Sequence, residues 1–258
     1  MSEKGEETSS GKSAQGSAAV IKGLKLLQAI PELGDEATIK GIQRHLGWPR
    51  PTLYRLLGAM EQEGFLERNP VSGEYVLGRQ FIYLARRSLR ASSLQERVRG
   101  AIQRIGRETG ETVHLGVPAG THITYIDKVE SIETVRMASY VGMAVPMHST
   151  SVGKAFLAFL DEDERERYLE HLDWAPVTAK TIVDVKRFRQ ELRETRARGY
   201  SIDDEENEAG IICFGLPVRE HDGSVVGAIS VSVPRYRFDD GKAARIIDVA
   251  RSELETLR

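Results

Sequence analysis

A single cysteine, Cys213, stands among 258 residues, so no intrachain disulfide can form. No apolar run approaches the roughly 20 residues of a bilayer-spanning helix, and no membrane partner is expected. Residues 1–16 lack the apolar core of a signal peptide and read as a disordered tail, so a cytoplasmic protein is expected. Within that tail Gly11-Lys12-Ser13 imitates a phosphate loop, but Gly5 is one residue too distant and no strand precedes it. No cofactor is expected. Strong charge of either sign is also missing, with a formal net charge of -2. Counted by segment the balance is uneven: residues 17–91 hold 11 Lys+Arg against 7 Asp+Glu, or +4, and residues 92–258 hold 23 against 28, or -5. A basic segment on an acidic body is suited to local phosphate attraction.

The basic segment also carries the clearest pattern. Thr38 caps a short helix through Ile39, Ile42 and Leu46, and Gly47 ends it because glycine enters the left-handed conformation cheaply. A second helix starts at Arg50 or Pro51, where a missing N–H is no loss, and Leu53, Leu56, Leu57 and Met60 form its apolar stripe up to Gly64. Two strand-like runs, 65–68 and 74–77, flank the turn-rich Asn69–Gly73, which predicts a hairpin. The ordered set is the outline of a winged helix-turn-helix. A lone amphipathic helix is more often a solvated surface, but the combination favours double-stranded DNA as partner. Arg50, Pro51, Thr52, Tyr54 and Arg55 occupy the end that a recognition helix presents to base edges, Thr38 opens the preceding helix, and Arg68 offers a phosphate contact from the wing.

A helix over Ala18–Ile30, stopped by Pro31, completes a first domain at 17–78. Residues 79–92 read as a linker helix with a sticky face, suited to pairing two subunits on a palindromic site. From 93 to 258, strands at 112–117, 121–129, 134–140, 200–203, 211–218 and 225–233 alternate with helices at 94–109, after 151, up to 198, and at 242–257. The fold class is α+β.

Two stretches in this second domain mix polar groups with small residues, Gly142–Lys154 and Gly199–Cys213. Ser149, Thr150 and Ser151 precede a helix whose free N–H groups can hold a carboxylate, although a plain capped helix is the simpler reading. Ser151-Val-Gly-Lys154 satisfies Ser-x-x-Lys, but the companion Ser-Asp-Asn and Lys-Thr-Gly are absent. A lone cysteine is usually an apolar filler. His114, His122 and His148 with Asp203 and Glu206 include no short-spaced ligand pair, so no metal is expected. The alternative class is an enzyme acting on a small carboxylic acid through Ser151, Lys154 or Cys213, with a regulatory N-terminal domain.

Residues 18–255 resemble the IclR family of transcriptional regulators. The likeness rests on Pro51-Thr-Leu-Tyr-Arg-Leu-Leu57, Glu111-Thr-Val-His-Leu115, Tyr125-Ile-Asp-Lys-Val129, Gly142 with Pro146, Thr150, Gly153-Lys154, and Gly199–Glu206 with Cys213 and Pro217-Val218. Its 2-keto-3-deoxygluconate repressor branch looks most similar. The resemblance implies a C-terminal effector domain of GAF-like topology around a central antiparallel sheet. It further implies a pocket with Ser151, Val152, Asp203 and Cys213 on its hydrophilic side, beside Thr150, and Met137, Val145 and Ile211 on its apolar side. A homodimer or dimer of dimers that represses a catabolic operon and senses a keto or sugar acid is the implied function. Ser151 and Val152 are bulkier than the small pair of glyoxylate-responsive relatives, and Phe214 and Arg219-Glu220 depart from the family pattern.

Overall fold

A computed structural model describes residues 9–88, 91–134 and 137–257, with side chains described from 18 to 84 and from 94 onward within these ranges. Contacts divide the chain into two units, Met1–Leu89 and Arg90–Arg258. In the first, α1 (Ser9–Leu33) precedes α2 (Ile39–Leu46), α3 (Arg50–Gln62), strands β1 (Leu66–Arg68) and β2 (Tyr75–Leu77), and α4 (Arg79–Ser88). Two expectations are corrected here. Helix α1 already includes residues 9–16, where no proline blocks extension of a helix once its core turns have nucleated it. Pro31 lies inside the helix rather than stopping it at Ile30. Buried Leu26, Ala29 and Ile30 hold the last turn in place, and the proline ends the helix only after two further residues.

Sequence signals set the remaining boundaries of this unit. The Thr38 hydroxyl accepts from Gly41 N at 3.3 Å, and Gly47 closes α2 at φ 68°, in the left-handed region. Leu53 and Leu57 of α3 are buried against Leu26, Ile30, Ile42, Leu66 and Tyr75, one small core shared by three helices and the hairpin. At roughly 1.5–3 kcal/mol per fully buried aliphatic side chain, this core fixes α3 relative to α2 and leaves its outer face for function.

The second unit opens with α5 (Ala91–Thr109) and continues through β3 (Thr112–Ala119), β4 (His122–Val129), β5 (Ala144–Pro146), α6 (Ser151–Phe159), α7 (Glu162–Leu169), α8 (Val185–Arg198), β6 (Ser201–Asp204), β7 (Ile211–Arg219), β8 (Val225–Pro234) and α9 (Asp240–Glu255). Its six strands form one antiparallel sheet in the order β5-β4-β3-β8-β7-β6. The strand expected over 134–140 does not form at 137–140, and 135–136 lie outside the described residues. Lys128 Nζ donates to the carbonyls of Met137 and Ser139, so a side chain takes the acceptors that a ladder would have used, and the edge strand is Ala144–Pro146 instead.

Period-two alternation decides what each sheet face carries. Val113, Leu115, Ile212, Phe214, Val231 and Val233 face α5 and α9 in the larger core. The residues between them turn to the α6 side. In register, Asp203 stands opposite Cys213, Cys213 opposite Ser232, and Ser232 opposite Thr112; one step along, Ser230 stands opposite His114 and His114 opposite Lys128. Helix α6 comes close to this face because Gly215 permits it: a Cβ there would lie 2.3 Å from Ser151 O, while a Cβ on Gly153 would lie 2.3 Å from Met147 O and push α6 off the turn that leads into it. The N-terminus of α6 is thereby set over a polar patch of sheet.

Candidate functional site

The first unit presents a basic surface. Thr38, Ile39, Lys40, Arg50, Tyr54, Arg68, Ser72 and Gly73 line a hollow of about 390 Å³, which brings three cations together and no carboxylate. Four sequence-predicted residues meet here: Thr38, Arg50, Tyr54 and Arg68. Arg50 Nε donates to Gln43 Oε1 at 3.0 Å, which ties the start of α3 to α2, and the Arg68 guanidinium lies 5.8 Å from the Tyr75 ring centre. Pro51 and Arg55 are exposed and Thr52 is half-buried on α3, outside the hollow. Lys40 was missed, although its place two residues after the Thr38 cap already set it on the first turn of α2.

In the second unit a cavity of about 110 Å³ opens where α6 meets the polar rows of the sheet. It gathers Met137, Val145, Thr150, Ser151, Asp203, Ile211 and Cys213, residues named above from the family resemblance. Val152 is not among its lining residues: one step around the helix from Ser151, it is fully buried in the core with Ile123, Val145 and Phe156. His114, Tyr125, Ser139, Asn207, Ser230 and Ser232 line the cavity as well. The alternating Thr112-Val-His-Leu115 and Ser230-Val-Ser-Val233 held that signal.

The polar lining is largely satisfied. Thr150 Oγ1 donates to Pro146 O at 2.6 Å and accepts from Gly153 N at 3.2 Å. Asp203 Oδ1 accepts from the backbone N–H groups of Glu206 and Asn207 at 2.7 and 3.2 Å. Cys213 Sγ donates to Ser232 Oγ at 3.3 Å, and the His114 ring bridges Ser139 Oγ at 2.7 Å and Ser230 Oγ at 3.4 Å. Ser151 Oγ differs, being buried with no hydrogen-bond partner among the described residues. Beside it the N–H groups of Ser151 and Val152 open α6, where a helix supplies no acceptor of its own.

Burial dominates the electrostatics. It pushes Asp203 up to about 7, against the pull of Lys154 and the Glu206 N–H. It pushes His114 down to about 3, helped by the Lys128 charge, so the ring is neutral at physiological pH. It also raises the Cys213 thiol well above its ordinary value, with Asp203 adding to the effect. Lys154 is fully buried; its Nζ meets Glu206 Oε1 at 2.6 Å and Glu191 Oε1 at 3.5 Å. Of the residues weighed for a metal only His114 and Asp203 reach the cavity, while His148 turns away to Ala175 O at 3.0 Å. Among the described residues no group of three or more potential ligands is placed to hold a metal ion.

Comparison with known families places this arrangement. The model of the IclR helix-turn-helix domain matches residues 19–70, and that of the bacterial transcriptional regulator IclR C-terminal domain matches residues 86–255. The chain belongs to the IclR family. It is 31% identical to the HTH-type transcriptional regulator XynR of Escherichia coli (strain K12), across 88% of this chain and 90% of that protein. It is 32% identical to the KdgR regulator of the same organism, across 86% and 84%. The crystal structure of the Thermotoga maritima IclR superposes with a TM-score of 0.81 at 32% identity, covering 93% of this chain and 97% of that one. XynR and KdgR differ by one percentage point, so identity does not single out the KdgR branch.

This IclR-family chain is therefore a DNA-binding transcriptional regulator and not an enzyme, and the alternative is set aside. The side chains agree: the Lys154 ammonium is committed to two carboxylates, and the Cys213 thiol is held protonated. No helix is long and apolar enough to cross a membrane among the described residues.

Proposed function

We propose that the protein is a cytoplasmic repressor of a catabolic operon, released from a palindromic operator by a small organic acid of the keto or sugar acid class. The observation that carries the acid is Ser151 Oγ, a buried hydroxyl without a partner beside the open N–H groups of α6. A helix N-terminus favours a carboxylate, and the serine and histidine hydrogen-bonding groups around it suit ligand hydroxyl or keto oxygens. The size fits as well, since about 110 Å³ falls below the roughly 300–1,000 Å³ of drug-sized sites. A homodimer or dimer of dimers is supported by the exposed apolar Val20, Ile21 and Leu24 on α1 and Ile82 and Leu84 on α4. Two recognition helices about 34–36 Å apart would read successive major grooves.

The protonation of Asp203 gives the reading a testable sign. The carboxyl is raised to about 7, so the native state holds its proton more tightly than the unfolded chain does. This group therefore erodes stability as pH rises from about 4 to about 7. An anionic ligand raises the value further and is bound with proton uptake. Titration calorimetry in buffers of different ionisation enthalpy, with operator release followed by anisotropy, is expected to show acid affinity falling between pH 6.5 and 8.5. Asp203→Asn removes that dependence while keeping the acceptor for Glu206 N. Affinity that rises with pH would mean that ligand donors face an ionised Asp203, and would contradict an acid anion at this end of the cavity.

A further inference from the structure

Lys128 belongs to the Ile126-Asp-Lys-Val129 stretch and does not line the cavity. Its side chain is only 6% exposed. It stands opposite His114 in the sheet, on the face that carries Ser230. From there Nζ donates to Met137 O at 2.9 Å and Ser139 O at 2.6 Å, and pairs with Glu130 Oε1 at 2.8 Å. An ammonium has three donors, and each of the three has an acceptor.

The segment so held is a wall of the cavity. Met137, Ala138 and Ser139 all line it, yet none of them belongs to a strand or helix. Their hydrogen bonds to the sheet among the described residues are the two from Lys128 and the one between Ser139 Oγ and His114 Nε2 at 2.7 Å. One buried cation therefore does for this wall what a backbone ladder does for the rest of the sheet. We propose that Lys128 is the latch of the cavity, a positioning residue whose two carbonyl contacts keep the 137–139 wall closed and control entry and exit. Its consequence for effector binding rests on the reading of this cavity as the effector site.

The single cysteine makes the latch measurable without any ligand, because Cys213 lies in the same cavity and is half-buried. Iodoacetamide labelling of the full-length protein is followed from pH 7 to 9 in the wild type and in Lys128→Met, Lys128→Arg and Ser139→Ala. Lys128→Met is expected to raise the labelling rate about tenfold or more at every pH, with amide exchange at 138–140 accelerated alongside. Lys128→Arg keeps charge and donors and returns the rate towards wild type. Ser139→Ala, which loses only the histidine contact, falls between the two. The proposal is overturned if labelling in Lys128→Met is unchanged, if it follows global unfolding in its urea dependence, or if only the slope of the rate against pH changes. Faster labelling in a protein that binds no acid would keep the latch and remove the effector reading, so the two fail separately.

Discussion

Arg55→Ala is expected to weaken operator binding by about 1–3 kcal/mol, roughly 5- to 150-fold, and to relax base preference at one position of each half-site. Arg55 is exposed one turn into α3, on the side opposite buried Leu53 and Leu57, with no ion pair among the described residues. An unpaired guanidinium on a recognition helix has its five donors available for a guanine edge. Arg68 gives the contrast. It sits on the hairpin at the basic hollow, so Arg68→Ala should weaken all sequences alike and reduce the slope of log affinity against log salt by about 0.9. Anisotropy titrations at several salt concentrations, on a duplex selected by the protein itself, separate the two behaviours. If Arg55→Ala changes only the salt slope, it contacts phosphate, and base reading lies elsewhere on α3.

Lys154→Met is expected to cost about 3–5 kcal/mol of stability. The ammonium has no exposure, and its removal strands Glu206 and Glu191. Glu206 is the vulnerable partner: burial already pushes its carboxyl up, Lys154 is what pulls it down, and Oε2 has no hydrogen-bond partner among the described residues. Arg198 still reaches Glu191 at 2.7 Å, so the loss falls mainly on the Glu206 side. At roughly 2–4 °C per kcal/mol for a unit of this size, the melting point should drop by about 10 °C. Adding Glu206→Leu should recover much of that loss, because an apolar pair leaves no uncompensated charge. Urea unfolding of the single and double variants measures both. A loss below about 1 kcal/mol for Lys154→Met would mean that water reaches Glu206 and that the pair is not a dry one.

Legibility followed the range of the interactions. The winged helix-turn-helix could be read because its signals are local: the Thr38 cap, the left-handed Gly47, the start of α3 and the Asn69 turn each act within four residues. The pocket could be read only in pieces. Thr150 and Ser151 were visible as a helix start, and Asp203 as a strand end. Register brings Asp203, Cys213 and Ser232 into one row, and no local pattern specifies a pairing across sequence separations such as that of Thr112 and Ser232. The missing strand at 137–140 has the same origin, since the Lys128 bonds that replace its ladder come from nine and eleven residues away. Val152 lies elsewhere for a packing reason: about 100° around the helix from Ser151, its side chain is taken up by the core with Ile123 and Phe156.

Thermal unfolding of the full-length protein against a panel of keto, sugar and aromatic acids tests the central claim most directly, because a ligand that binds only the folded state must raise the midpoint. One keto or sugar acid is expected to raise it by several degrees, to lose that effect in Asp203→Ala and Ser151→Ala, and to release operator from the wild type with a coupling of about 1–3 kcal/mol. A protein that binds its operator but shows no shift with any acid, or a shift that survives both substitutions, would contradict the account.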